Sequence, residues 1–243
     1  MNKIYLLLLS ILFLIIEVGD LSASNQNAFG PPYDEIKDIE VEDLEPEECI
    51  SYDEFVKEDY LDQQKYSGIW STILHNKLDK LDIKIRSSST LKGYPVTNLF
   101  DKKINTAWVP TQGIKGNGVG EWFLIDLYAE RESETSTPFT VDLIGIIPGY
   151  LKNDKTWKEN NRIKTALLII KTPQISGPYY TVCRLHFKDF KGLETFRIPE
   201  YLIKAGDYDM ISTIWVVIED VYMGSKYTDT CISELVISGG CSN

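Results

Sequence analysis

Residues 164–187 read KTALLIIKTPQISGPYYTVCRLHF, two apolar runs (Lys164–Thr172 and Tyr179–Phe187) divided by a Pro/Ser/Gly turn. Short runs rich in β-branched and aromatic residues, closed by turn residues, read as strands; a helix needs a longer segment of period 3.6. The same pattern continues outward in both directions. EWFLIDLYA (121–129) and VDLIGIIPGY (141–150) precede it, and ETFRIPEYL (194–202), TIWVVIEDVY (213–222) and CISELVIS (231–238) follow. KGNGVG, ESETSTP, KNDKTW, KDFKG and KAGDYD lie between the runs as turns. Seven or eight strands over about 160 residues, with no amphipathic helix between them, predict an all-β antiparallel sandwich and exclude a parallel βαβ fold. Trp122 and Trp215 fall inside strand patterns and read as core.

The chain has 243 residues, 43% of them hydrophobic, enough for one sizeable core. Its 36 Asp and Glu against 25 Lys and Arg give a net charge of −11. That excess sits in one place: Ser24–Tyr66 carries 14 acidic residues and three Lys, whereas Ser67–Asn243 is nearly neutral, with 21 basic and 20 acidic. Phosphate recognition needs clustered Lys and Arg, so no nucleic-acid partner is expected. The acidic stretch, with Pro31, Pro32 and Pro46, reads as an extended or partly disordered leader over residues 24–66. Residues 67–86 read as a packing arm or short helix, and residues 87–243 as the sandwich.

Behind Lys3, the apolar run Ile4–Ile16 is too short to span a bilayer, which takes about 20 helical residues, but suits a signal-peptide core. Gly19, Ser22 and Ala23 follow, so residues 1–23 are expected to be a signal peptide. The mature protein is then expected without a membrane span, and secreted, periplasmic or on the cell surface. Export favours two structural disulfides among Cys49, Cys183, Cys231 and Cys241, with three pairings open. No two cysteines stand at zinc-ligand spacing, and only His75 and His186 supply imidazole.

Four blocks carry a family resemblance: SSSTLKGYPVTNLFDKKINTAWVP (87–110), GVGEWFLIDL (118–127), IPGYLKNDKTWKENNRIKTALLII (147–170) and VYMGSKYTDTCISEL (221–235). In this order they resemble the NADase-type glycan-binding domain, a discoidin-like (galactose-binding-like) jelly roll. That family takes its name from the non-catalytic translocation module of secreted bacterial NAD glycohydrolase toxins. The resemblance implies carbohydrate binding. It also implies a structural calcium site in the loop of Asp101 and Thr106, completed by Glu234 on the last strand. Carboxylates, a hydroxyl and loop carbonyls are the oxygen ligands that calcium takes. No cofactor is required. Lys102 stands where relatives commonly have Gly, and Lys103 adds a second cation; Asp101 and Thr106 equally serve to brace the turn.

Sugar recognition pairs a flat aromatic face with amide or charged groups that bind hydroxyls. Tyr150, Trp157, Asn160, Asn161 and Arg162 offer this mixture, with Trp157 the leading ligand candidate. Asn161 and Arg162 read equally as structural groups that satisfy loop backbone and a buried carboxylate such as Asp126 or Asp220. Tyr222, Lys226, Tyr227 and Asp229 are expected on the same rim, or else in a hydrogen-bonded corner. The expected partner is a glycan or glycoprotein, with a protein-binding adhesin as the alternative. A hydrolase needs two carboxylates about 5 to 10 Å apart in a cleft. Strand positions give no reason to pair Glu121, Asp126, Asp142 or Glu219, and about 60 residues ahead of the module are too few for an NAD glycohydrolase.

Overall fold

The computed structural model describes residues 29–52, 81–111, 116–129, 139–172, 177–199 and 211–241. The expected signal peptide and residues 67–80 of the expected arm lie outside them. Residues 29–32 belong to a separate N-terminal unit, and the main body begins at Tyr33. Among the described residues it has ten strands: β1 (Glu42–Leu44), β2 (Glu48–Ser51), β3 (Leu81–Ser87), β4 (Trp122–Ala129), β5 (Phe139–Ile147), β6 (Arg162–Thr172), β7 (Tyr179–His186), β8 (Gly192–Arg197), β9 (Ile211–Tyr222) and β10 (Glu234–Cys241).

The strands form two sheets, in the orders β1-β7-β6-β9-β4-β3 and β10-β5-β8-β2. Pairing is antiparallel throughout except for β1 with β7, which is parallel. The core lies between the sheets, where Phe123, Ile144, Leu168, Phe196, Val216 and Leu235 pack with Trp108. Trp108 meets Phe123 edge-on at 5.6 Å, and its indole N–H donates to Ser89 O at 3.1 Å. The seven apolar runs all became strands because β-branched side chains suit a pleated, buried surface.

Alternation along β9 sends Ile214, Val216 and Ile218 inward and Trp215 and Val217 outward, and the outward set is buried as well. It lies under Ile36, at the end of the short helix Tyr33–Ile36, with Ile39 and Val41. Residues 33–51 of the acidic segment are therefore packed on the sandwich. They cover the outer face of the six-stranded sheet and then supply an edge strand to each sheet, β1 and β2. Burying apolar side chains of this size yields about 1.5–3 kcal/mol each, more than exposed ion pairs such as Asp43–Arg184 or Glu47–Arg197 contribute. Hydrophobic cover, not charge, holds the leader down. Among the described residues, β3 joins the sandwich by pairing with β4 along its length.

The two-disulfide expectation is corrected by this arrangement. Cys49, Cys183 and Cys231 are free thiols. Cys183 is packed in the main core and Cys231 in a separate cluster with Ala107 and Val109, while Cys49 sits on the β2 edge. Burial pushes the Cys183 thiol up to about 12 and raises Cys231 further. Cys183 and Cys231 behave as small hydrophobes. Among the described residues no helix is long and apolar enough to cross a membrane.

Candidate ligand-binding site

After β5 the chain turns at Gly149 and enters the helix Asp154–Glu159. Asn153 starts that helix with a reciprocal cap: its side-chain oxygen accepts from Thr156 N at 2.9 Å, and its own N–H donates to Thr156 Oγ1 at 3.1 Å. Asp154 adds a negative charge to the first turn and pairs with Lys191. The one large apolar residue of the helix, Trp157, points inward. It is 6% exposed and packs with Ile50, Ile147, Leu151, Leu193 and Val236. A Cβ on Gly149 would lie 2.6 Å from the Trp157 ring and 2.7 Å from Arg162 Cγ, so glycine is required where these side chains stack.

Trp157 is thus a core residue with no face to offer a sugar, which corrects its place as the leading ligand candidate. Arg162 and Asn161 are structural too. Arg162 is 7% exposed and donates through Nε and Nη2 to both oxygens of Asp189, at 2.6 and 2.9 Å. Its Nη1 donates to Trp157 O and Asn160 O at 3.2 and 3.1 Å. The carboxylate it satisfies is Asp189, because Asp126 is held by Arg86 and Thr213, and Asp220 by Lys164. Asn161 donates to Thr228 O at 2.8 Å and accepts from Gly224 N at 2.7 Å, stitching the 223–230 loop to β6. Gly224 is needed there for close approach, since a Cβ would sit 2.4 Å from Glu159 O. Tyr222 is also held away from ligand, its hydroxyl donating to Phe187 O at 2.9 Å.

The remaining candidates do converge. A cleft of about 400 Å³ opens between the helix, the 223–231 loop and the loop after β3, lined by Tyr150, Asn160, Tyr227 and Asp229. Tyr150 donates its hydroxyl to Asn105 O at 3.3 Å and meets Tyr94 edge-on at 6.2 Å; burial raises its pKa. Tyr227 is 42% exposed. The ammonium of Lys226 lies 4.6 Å over the Tyr227 ring and 4.0 Å from Glu159 at the rim, and both contacts raise its pKa. Asn160 donates its amide to Thr156 O at 2.8 Å, and Asp229 lines the cleft beside Tyr227.

Sequence reasoning passed over Tyr94, Lys155 and Glu159, which complete the wall. Tyr94 stood within a quoted block with no polar partner to mark it. Lys155 and Glu159 needed the helix boundaries before their facing was defined.

A second feature lies beside the cleft. Asp101 accepts from Thr106 Oγ1 at 2.9 Å and from Lys103 N at 2.9 Å, closing the loop. Lys102 there is the single non-glycine residue with positive φ (59°) among the described residues, a conformation that costs about 1–2 kcal/mol and that glycine would adopt freely. Glu234 is 0% exposed; among the described residues neither carboxylate oxygen makes a well-formed hydrogen bond, and the nearby backbone N–H groups of Leu235, Lys103 and Lys102 lower its pKa only in part. Burial drives its pKa to about 9, with the Asp101 charge adding to the rise. A buried, unpartnered carboxylate next to a second one is the donor set a hard cation satisfies, so Asp101, Thr106 and Glu234 fit calcium.

The family model "NAD glycohydrolase translocation F5/8 type C domain" matches residues 76–238. No curated protein matches. Among solved structures, the family 32 carbohydrate-binding module of Clostridium perfringens NanJ, in complex with galactose, is similar at 14% identity. That match covers 64% of this chain and 92% of the module, with a TM-score of 0.39. A fragment of a candidate chitobiase from Bacteroides thetaiotaomicron aligns at 11% identity over 67% of this chain and 90% of its own, with a TM-score of 0.43. A family 89 glycoside hydrolase from Clostridium perfringens aligns at 13% identity over 66% of this chain and 14% of its own, with a TM-score of 0.36.

Proposed function

Because the chain belongs to the NAD glycohydrolase translocation F5/8 type C domain family, we propose that it is an exported, non-catalytic glycan-binding protein whose ligand occupies the cleft beside the helix Asp154–Glu159. The observation that carries this is the make-up of the cleft. Tyrosine rings of Tyr94, Tyr150 and Tyr227 meet the polar groups of Asn160, Asp229 and Lys155 in one open volume of about 400 Å³. The rings take the apolar C–H faces of a sugar, Asp229 accepts from hydroxyls, and Lys155 donates to ring or hydroxyl oxygens. An exposed cleft of this size buries little area, so capture is weak and gains from repeated sugars.

Two carboxylates border the cleft, Glu159 and Asp229. Glu159 pairs with the Lys226 ammonium at 4.0 Å, and the cleft is assigned to capture, not bond cleavage. The buried Cys231 thiol, its pKa raised by burial, is no nucleophile. Calcium held by Asp101, Thr106 and Glu234 serves as a structural ion that fixes the loop 101–106. The apolar run Ile4–Ile16 supports export.

A glycan array probed with wild type and Tyr227→Ala tests the reading. Sugar binding that the substitution weakens supports it, and turnover of NAD or a glycoside by the pure protein overturns it. A protein ligand is the second reading, favoured by two large apolar side chains exposed on the 223–231 loop, Met223 (59%) and Tyr227 (42%). It predicts that no sugar is captured at all.

A further inference from the structure

The helix Asp154–Glu159 forms one wall of the cleft, yet the groups that hold it lie behind the cleft, on the turn between β7 and β8 (residues 187–191). At the start of the helix, Lys191 pairs with Asp154 and sits 4.0 Å over the Tyr52 ring. Past its end, Asp189 grips Arg162 bidentately, and Arg162 in turn binds the carbonyls of Trp157 and Asn160. No residue of the turn lines the cleft. The turn itself is tied down from three directions. Phe187 O accepts from the Tyr222 hydroxyl, Lys188 N donates to the buried Glu194 at 2.8 Å, and Lys191 O accepts from Tyr52 N at 3.1 Å.

We propose that this turn sets the position of the ligand wall, with Asp189 and Lys191 as positioning residues that act through Arg162 and Asp154. The two contacts differ in strength. The Arg162 side chain is 9% exposed, so losing a charged bidentate partner leaves a nearly buried cation with half its compensation. The Lys191–Asp154 pair is solvated on the Asp154 side, and an exposed pair contributes little. Asp189 therefore dominates. That the wall binds a glycan rests on the reading above; the coupling of turn to wall does not.

The experiment is a ¹⁵N NMR comparison of the full chain with D189N, D189E and K191M, read without any ligand. D189N is expected to displace the Trp157 indole and Asn160 side-chain amide resonances by several linewidths, leaving the Trp108 and Trp215 indoles in place. D189E, which keeps the charge, restores most of the shift. K191M, at a side chain 28% exposed and safe for folding, moves the Asn153 and Asp154 amides more than those of Trp157. Wild-type positions for Trp157 and Asn160 in D189N and for Asn153 and Asp154 in K191M would overturn the proposal. So would a disturbance spread evenly to Trp108 and Trp215. Because no sugar is used, a positive result here with a blank glycan array would sink the glycan reading alone.

Discussion

Replacing Glu234 by Gln separates a calcium site from a buried neutral acid. Burial, with the Asp101 charge beside it, outweighs the nearby backbone N–H groups and carries the Glu234 pKa to about 9, so in calcium-free protein at pH 7 it holds a proton. The unfolded chain releases that proton at the ordinary carboxylate pKa of about 4.3. A folded pKa above the unfolded one means that the calcium-free fold is favoured at low pH and loses stability as pH rises towards 9. The loss amounts to about 1.4 kcal/mol per pH unit at most. Calcium needs the ionised form, so it should displace close to one proton per ion near neutral pH and remove that slope. At free calcium about a hundred times the Kd, mass action adds about 2.7 kcal/mol. For a body of this size that is an upward shift of about 5–10 °C in thermal midpoint. Scanning fluorimetry from pH 6 to 9 in calcium or EDTA reads both effects, and calorimetry in two buffers of different ionisation enthalpy counts the proton. E234Q should lose the calcium shift and the part of the slope above pH 7, leaving only the Glu194 contribution below it. Identical midpoints in calcium and EDTA at every pH would refute the cation. A midpoint independent of pH in EDTA would refute the buried-acid premise itself.

Other perturbations follow from the same packing. Trp157→Ala should cost about 3–5 kcal/mol, as large core truncations do, and appear in denaturant melts as a stability defect. A melt like wild type with lost sugar binding would mean that Trp157 faces ligand after all. Gly149→Ala must displace the Trp157 and Arg162 side chains and should destabilise by about 1–3 kcal/mol. Glu194, fully buried with its pKa raised to about 7 mainly by desolvation, makes the fold lose stability as pH rises from the ordinary carboxylate range through 7. E194Q should flatten that loss, and an unchanged pH–stability curve would contradict the assignment. Ile36→Ala should cost about 2 kcal/mol and expose the outer face near Trp215 to dye binding.

The strands were legible because each carries several β-branched or aromatic residues, and a buried strand can hardly be written otherwise. β1 and β2 were not. Among glutamates, each edge strand needs one buried apolar residue, Leu44 or Ile50, and a single such residue has no period. The Asp101–Thr106 brace was readable from its five-residue spacing, but the isolation of Glu234 appears only once β10 lies against that loop. Trp157 was misread because its neighbours are polar. In a two-turn helix those neighbours occupy the solvent side, and the lone aromatic is the residue that turns in. Asp189, the partner of Arg162, lies 27 residues away on a turn, where sequence carries no pairing signal. Four of the nine ligand candidates, Tyr150, Asn160, Tyr227 and Asp229, line the cleft, and Lys226 stands at its rim.

Chemical-shift mapping of the ¹⁵N-labelled full chain, titrated with whichever glycan the array captures, tests glycan binding at this cleft most directly. Shifts should concentrate on Tyr94, Tyr150, Asn160, Tyr227 and Asp229 and vanish in Tyr227→Ala, with Trp108 silent. Shifts centred on another face, or no glycan captured at all, would contradict it.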